Sequence, residues 1–369
     1  MAKSTSKKST KLSPLLNAGL TYIEKLLAIP SASNRVEAVA DYVVQVAKKF
    51  GYTVARDPDD TLRITIKGKD TRRVVAYGAH LDRIGLMVHD LCDDGTVRMS
   101  GIGGLYPGHV MDGVVASVVT NKGQTYAGVI THVDTPIHKV GREGFQKREH
   151  KREKLRLRLD ACIGCTKKDG KAKLKELGVQ VGQLIWLDPM LVIERTHGTL
   201  RSRWLDNTLG CAALLALLEE WSKAKFVPAC TTDLLWSAAE EAGMGGTSVM
   251  RPEMTDFISV DTSIGEETED LANCVIKQKA GAFPFTASLT KELEQAAEAA
   301  DAGFERRVFE GGGTDAEQAR SAGFKGRLGC IVVPIYGLHS IEAATFKGFE
   351  NLMRTLDSHA KGHGTRKGK

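Results

Sequence analysis

Residues 232–246, "TDLLWSAAEEAGMGG", carry a short apolar run that ends in two adjacent carboxylates, Glu240 and Glu241, followed by small residues and glycines. The run reads as a strand. Neighbouring side chains on a strand point to opposite faces, so the two acids can share one site only where the strand is ending. Burial would make both charges costly, so the pair needs a compensating partner.

The sequence on either side alternates between helical and extended patterns. "DNTLGCAALLALLEEWSKA" (206–224) before it reads as a helix, and "DFISVD" (256–261) after it as a strand. "TKELEQAAEAADAG" (290–303) predicts a helix ending at Gly303, "LGCIVVPIYG" (328–337) a buried strand, and "IEAATFKGFENLMRTLDSH" (341–359) a last helix. Upstream, "SNRVEAVADYVVQVAKKFGY" (33–52) reads as an amphipathic helix capped by Asn34 and closed by Gly51. "LRITIKG" (62–68) and "VVAYGAH" (74–80) read as strands, the second buried on both faces. This alternation predicts an α/β fold, a mostly parallel sheet flanked by helices.

Between 85 and 197 the pattern changes. Short β-like runs, "LMVHDLC", "GVVASVVT", "TYAGVIT" and "QLIWLDP", are divided by turn signals, and the one helical pattern lies near 171–177. The expected organisation is a small β-barrel-like domain, 85–197, inserted into a catalytic domain formed by 13–84 and 198–360. Segments 1–12 and 361–369 read as disordered tails.

The 369 residues are 42% hydrophobic and 26% charged, which suits a soluble globular chain. The densest apolar run, "CAALLALL", is far too short to span a membrane. The basic, polar amino terminus has no apolar core behind it and does not read as a secretion signal. Seven cysteines, an odd number, argue for a reducing compartment, so a cytoplasmic location is expected. The net charge of +6 does not call for nucleic acid, because the basic stretches 142–160 and 167–176 are interleaved with acids. They read as a solvated surface, with steering of acidic peptides as the alternative role.

In open α/β sheets, ligands bind outside the carboxyl ends of the strands. His80 and Asp82 follow "VVAYGA", Glu240 and Glu241 follow "LLWSAA", Asp261 closes "DFISV", and His339 follows "IVVPIYGL". Asp206 precedes a helix. Two imidazoles with several carboxylates suit a pair of divalent ions bridged by a carboxylate. Such ions would neutralise one glutamate by coordination and leave the other as a base.

Seven pieces of the chain, in order, then resemble one family: "GAHLDRIGLMV", "GIGG", "RWLDNTLGCAALL", "AAEEAGMGG", "ISVDTS", "GGGTDA" and "GLHSIE". The chain resembles the tetrahedral aminopeptidases, dinuclear zinc or cobalt exopeptidases that include glutamyl and leucyl aminopeptidases. The resemblance implies that His80 and Asp261 bind one metal, Glu241 and His339 the other, with Asp206 bridging. It implies Glu240 as general base and Asp82 as the hydrogen-bond acceptor that orients His80. It also implies peptide substrates and dimerisation through the inserted domain, with dimers assembling into a twelve-subunit tetrahedron. Zinc, cobalt and manganese all accept such ligands.

The sequence departs from the family pattern at Thr208, where arginine is usual, and at Arg83, Gln183 and "CIGC" (162–165). None of these removes a ligand. "CIGC" lacks the second pair a zinc ribbon needs and is assigned no role. "EGGGTDAEQA" (310–319) lacks the lysine of a P-loop, so Thr314 or Asp315 is expected beside the substrate. His89, His109, His132, His138 and His150 are given no function. Two rival functions remain: a related dinuclear carboxypeptidase or deacylase, and a non-catalytic metal-binding assembly protein.

Overall fold

A computed structural model describes residues 12–110, 112–149, 151–245 and 250–364. The expected tails at 1–11 and 365–369 lie outside the described residues. The chain opens with α1 (Pro14–Leu27), α2 (Glu37–Lys49), β1 (Ala55–Arg56), β2 (Leu62–Ile66) and β3 (Asp70–His80). Then come β4 (Gly85–Leu91), β5 (Thr96–Ile102), β6 (Val114–Val119), β7 (Thr125–His132), α3 (Ile137–Gln146), β8 (Leu155–Leu159), α4 (Gly170–Glu176) and β9 (Leu184–Leu187). β10 (Val192–Glu194), β11 (Thr199–Ser202), α5 (Leu205–Lys223), β12 (Cys230–Ser237), β13 (Asp256–Ile264), β14 (Cys274–Ala280) and β15 (Phe283–Pro284) follow. The last elements are α6 (Ala287–Ala299), β16 (Phe304–Phe309), α7 (Asp315–Ser321), β17 (Arg327–Ile335), β18 (Glu342–Thr345) and α8 (Phe346–Ala360).

The main sheet runs β1-β2-β12-β3-β13-β17-β14-β15, with β16 paired to β14. Its four central strands, β12, β3, β13 and β17, are mutually parallel, so their carboxyl ends share one edge. In that register Ser237 lies opposite His80, and Asp261 opposite Val332. β3 is buried continuously over its last seven residues, as a strand covered on both faces must be. α5 is buried almost all round, because it packs against α1 on one side and the sheet on the other.

The inserted segment forms a closed barrel, β4-β5-β8-β7-β6-β9. Closure removes the free edges that would otherwise invite pairing with another chain. β8 lies within the basic stretch, and its alternation explains the composition: Leu155, Leu157 and Leu159 point inward while Arg156 and Arg158 face out. Among the described residues no helix is long and apolar enough to cross a membrane.

Four local expectations need correction. Asn34 does not cap α2: it adopts a left-handed conformation, and Val36 takes the cap position without a side-chain bond. The final helix starts at Phe346 rather than near 341, because residues 342–345 form β18 and pair with β11. A helix, α3, interrupts the insertion, broken at Gly141 and burying nothing. Residues 361–364, at the start of the segment expected as a tail, form a turn after α8 in which the His363 N–H donates to Ser358 O at 3.2 Å. The β10–β11 hairpin straddles residue 197 and joins β18 in a three-stranded sheet.

Candidate metal centre

Four parallel strands deliver the site. His80 ends β3, Asp261 lies within β13 near its end, and Glu240 and Glu241 form a single 3-10 turn two residues past β12. His339 follows β17 in a left-handed conformation, and Asp206 sits in a non-helical step at the start of α5. The turn at 240–242 answers the geometric difficulty of the adjacent acids: leaving the strand lets both side chains face one pocket. Gly243 closes that turn at φ +78°, and a side chain at Gly245 would come within 1.9 Å of Asp315 Oδ1.

Asp206 stands between the two imidazoles. Its Oδ1 is 3.2 Å from His80 Nε2, and its Oδ2 is 3.4 Å from His339 Nε2. His80 Nε2 is also 3.5 Å from Asp261 Oδ1 and 3.8 Å from Glu240 Oε2, and His339 Nε2 is 3.7 Å from Glu241 Oε2. A tetrahedral shell with bonds of about 2.0–2.1 Å separates its donors by roughly 3.3–3.4 Å. Ligand atoms of His80, Asp206 and Glu241 all lie within 4.8 Å of one another. Asp206 Oδ1 and Glu241 Oε1 are buried and have no hydrogen-bond partner. Donor type, spacing and orphaned oxygens therefore fit divalent cations.

The surroundings hold these groups in place. His80 Nδ1 lies 2.9 Å from the main-chain oxygen of Asp82, and 3.6 Å from its carboxylate. The carboxylate instead accepts the N–H groups of Glu240 and Glu241 at 3.0 and 3.1 Å, and the Ser33 hydroxyl at 2.6 Å. Glu342 accepts the Asp206 N–H at 3.0 Å and the His339 N–H at 2.8 Å. Asp315 accepts the Ser237 hydroxyl, so it braces the end of β12. Gly103 and Gly104, past the end of β5, bring the barrel against Glu241 and His339.

Burial by itself lowers the His80 imidazole pKa, but Asp206, Asp261 and Asp82 outweigh it and hold the ring well above its ordinary range. Burial and repulsion from Asp261, Asp315 and Asp206 push Glu240 well up, and burial and Asp206 do the same to Glu241. Burial raises Asp315 to about 7 and Glu342 to about 8. Asp206 behaves oppositely: despite burial, His339 and His80 hold it well below the usual carboxylate range. The pocket thus contains more acid than its two imidazoles can balance, which is the charge deficit that cations would fill.

Residues 60–355 match the M42 glutamyl aminopeptidase family. The chain belongs to that family. It is a peptidase by membership, and the resemblance drawn from its motifs holds. The chain is 30% identical over 324 residues to the protein named "Putative aminopeptidase YhfE" of Bacillus subtilis, covering 87% of this chain and 90% of that one. It is 24% identical to a glutamyl aminopeptidase of Lactococcus lactis over 249 residues, 67% of each chain. A lysyl aminopeptidase of Pyrococcus furiosus is also 24% identical, over 261 residues and 69% of each. In fold, the chain matches an aminopeptidase from Desulfurococcus kamchatkensis with a TM-score of 0.83 at 20% identity, covering 94% and 95% of the two chains. The TET1 peptidase of Pyrococcus horikoshii matches with a TM-score of 0.80 at 21% identity, over 93% and 99%.

Sequence reasoning assigned no role to several pocket residues. Lys277 and Phe309, from β14 and β16, and Gln318, from α7, line the same cavity of about 360 Å³ as the metal-ligand set. β14 and β16 were not legible as strands, so their inward side chains could not be placed. Thr208 and Arg83, two departures from the family pattern, are both buried. The Thr208 hydroxyl lacks a partner, while Arg83 donates to Ile29 O and Leu26 O and stacks on Trp186. No residue of 142–175 lines the cavity among the described residues.

Proposed function

We propose that this peptidase removes amino-terminal residues from peptides with the help of two divalent ions, with Glu240 as general base. The observation that carries the reading is Asp206, whose two oxygens each face a different imidazole. In this reading His80 and Asp261 hold one ion, Glu241 and His339 the other, and Asp206 lies between them. When bound, such a pair supplies Lewis acidity at neutral pH, polarising a carbonyl and lowering the pKa of water.

The remaining work falls to the chain. Glu240 Oε1 is engaged by Gln318, which leaves Oε2 to take the proton of the attacking water and return it to the leaving amine. Burial disfavours the ionised form of Glu240, the direction expected for a carboxylate that must take up a proton. The unmatched carboxylates around the site give a free α-ammonium group its anchor, which restricts cleavage to amino termini.

The two relatives named glutamyl and lysyl aminopeptidase are equally similar to this chain, so the side-chain preference rests on its own residues. Lys277 is 5% exposed and sits over the Phe309 ring at 5.0 Å, facing the cavity. A buried ammonium group there favours an acidic first residue. The assembly also belongs to this proposal. The P. horikoshii TET1 peptidase can assemble into a tetrahedron or a large octahedral shell, and we extend the tetrahedral dodecamer, built from dimers, to this chain.

A panel of chromogenic aminoacyl amides tests the proposal, run on metal-stripped protein with zinc, cobalt or manganese added back. Turnover of free-amine substrates only, restored by metal, supports it. Turnover of amino-blocked substrates, or activity indifferent to stripping, would favour the deacylase alternative or end the reading. Light scattering of the purified chain reads the assembly.

A further inference from the structure

We propose that Gln318 is a positioning residue for the general base, a role that rests on the reading of Glu240 given above. α7 begins at Asp315, with Thr314 capping it through its hydroxyl. Asp315 and Gln318 are three positions apart and so share one face of the helix. That face runs along the exit of β12: Asp315 receives the Ser237 hydroxyl, and Gln318 meets the turn that carries Glu240.

The contacts fix the amide completely. Gln318 Oε1 accepts the main-chain N–H of Gly245, which settles which end of the amide is oxygen. Its Nε2 then donates twice, to Glu240 Oε1 at 2.9 Å and to the Glu240 main-chain oxygen at 3.1 Å. Both ends of the amide are thus committed to the segment 240–245. Gly245 must be glycine for this approach, because a side chain there would strike Asp315 and Glu240.

Two consequences follow for the reaction. One oxygen of Glu240 is held by a neutral donor, so the other, Oε2, keeps a fixed direction, 3.8 Å from His80 Nε2. The donor also comes from outside the set of proposed metal ligands. Gln318 can therefore aim the base without taking part in holding the ions. Loss of the amide would leave metal binding and substrate binding intact and let Glu240 rotate. Orientation errors of this kind lower turnover rather than affinity.

The test compares Gln318→Met, which keeps the volume and removes both ends of the amide, with Gln318→Glu, which keeps the acceptor for Gly245 and removes the donor. Glu240→Gln and the double variant Gln318→Met/Glu240→Gln are assayed beside them. Metal content by elemental analysis, metal affinity by calorimetry and melting temperature are measured with kcat and KM. We expect both single variants at 318 to bind metal normally, with KM within about twofold and kcat lower by about 10- to 100-fold. The double variant should be no slower than Glu240→Gln alone, since the two act as one unit. Wild-type kcat in both 318 variants, with Glu240→Gln inactive, would overturn the inference alone. Loss of metal, or a rise in KM that accounts for the whole defect, would also overturn it. Full turnover by Glu240→Gln would instead remove the base reading, and this inference with it.

Discussion

The carboxylate of Asp82 accepts the main-chain N–H of Glu240 at 3.0 Å, so the end of β3 holds the turn that follows β12. The same carboxylate takes the Glu241 N–H and the Ser33 hydroxyl, while His80 turns to the Asp82 main-chain oxygen. Asp82→Ala would strand three donors, the buried Ser33 hydroxyl and the two partly buried N–H groups of the turn. An unpaired buried donor costs about 1–3 kcal/mol, so a loss on the order of 3 kcal/mol in stability is expected, together with most of the turnover. Asp82→Asn keeps one acceptor and should fall between the two. Chemical denaturation and kinetics check both. If Asp82→Ala kept wild-type stability, the clamp would be discarded.

The neighbouring glutamates should fail differently. Asp206 faces both imidazoles, so Asp206→Asn should lower total bound metal by weakening both positions. Glu241→Gln should release the ion beside His339 first, because Glu241 Oε2 approaches that ring at 3.7 Å. Glu240→Gln should retain full metal and lose turnover by about 10²- to 10⁴-fold, the usual worth of a positioned base. Elemental analysis of the three variants separates these outcomes, and equal metal loss at 240 and 241 would exchange or abolish their roles.

A third prediction concerns acid stability at the far end of the sheet. Arg73 and Arg327 each bind Asp256 and Glu292, at 2.6–2.8 Å, tying the starts of β3, β13 and β17 to α6. Burial opposes ionisation of Glu292, but His359, Arg327 and Arg73 outweigh it and hold the carboxyl at about 2, below its ordinary 4.5. A depressed carboxyl stabilises the fold fully above its unfolded pKa and loses that contribution as pH falls through the folded value. At 1.36 kcal/mol per unit, the contribution is about 3 kcal/mol, present above pH ~4.5 and fading toward pH ~2. Glu292→Gln should therefore be less stable than wild type by about that much at neutral pH, with Asp256 still engaging both guanidinium groups. The gap should close toward pH 2. A gap independent of pH would show that Glu292 contributes by packing alone.

Much of the fold was legible because strongly periodic segments report their burial. The run 74–80 reads as a buried parallel strand and is one, and the five proposed ligands fall at the common edge that parallel strands create. The weak points share a cause. "IEAAT" (341–345) continues smoothly into a helical pattern, and only pairing with β11, more than a hundred residues away, makes it extended. β14 buries the charged Lys277 among apolar neighbours, and β16 leaves Arg306 and Val308 both exposed, so neither shows a clean alternation of apolar and polar residues. Asp82 is a further case: the resemblance implied an imidazole partner, whereas its carboxylate accepts the N–H groups of the turn at 240–242, which tertiary packing brings to it, and lies 3.6 Å from His80 Nδ1.

That hidden charge supplies the last prediction. Lys277 lines the cavity from β14, is 5% exposed, and has no ion-pair partner among the described residues. Glu317 lies close enough to feel it, yet burial keeps that carboxyl raised to about 7. An incoming acidic side chain would therefore meet an ammonium group that Glu317, held partly protonated by burial, neutralises only in part. A hydrogen bond to a charged group is worth about 1.5–3 kcal/mol, so Lys277→Met should lower kcat/KM for glutamyl and aspartyl amides by about 10- to 100-fold. The same change should leave leucyl amides within about twofold. Salt distinguishes this pocket from the basic stretch 142–175, which was the alternative source of acid preference. Exposed charges lose their reach as the Debye length falls from about 10 Å at 0.1 M to about 3 Å at 1 M, whereas a buried contact is screened much less. The preference for acidic over neutral amides should therefore persist in 1 M salt in the wild type and vanish in Lys277→Met. A preference that collapses with salt and survives the substitution would assign it to the barrel surface instead.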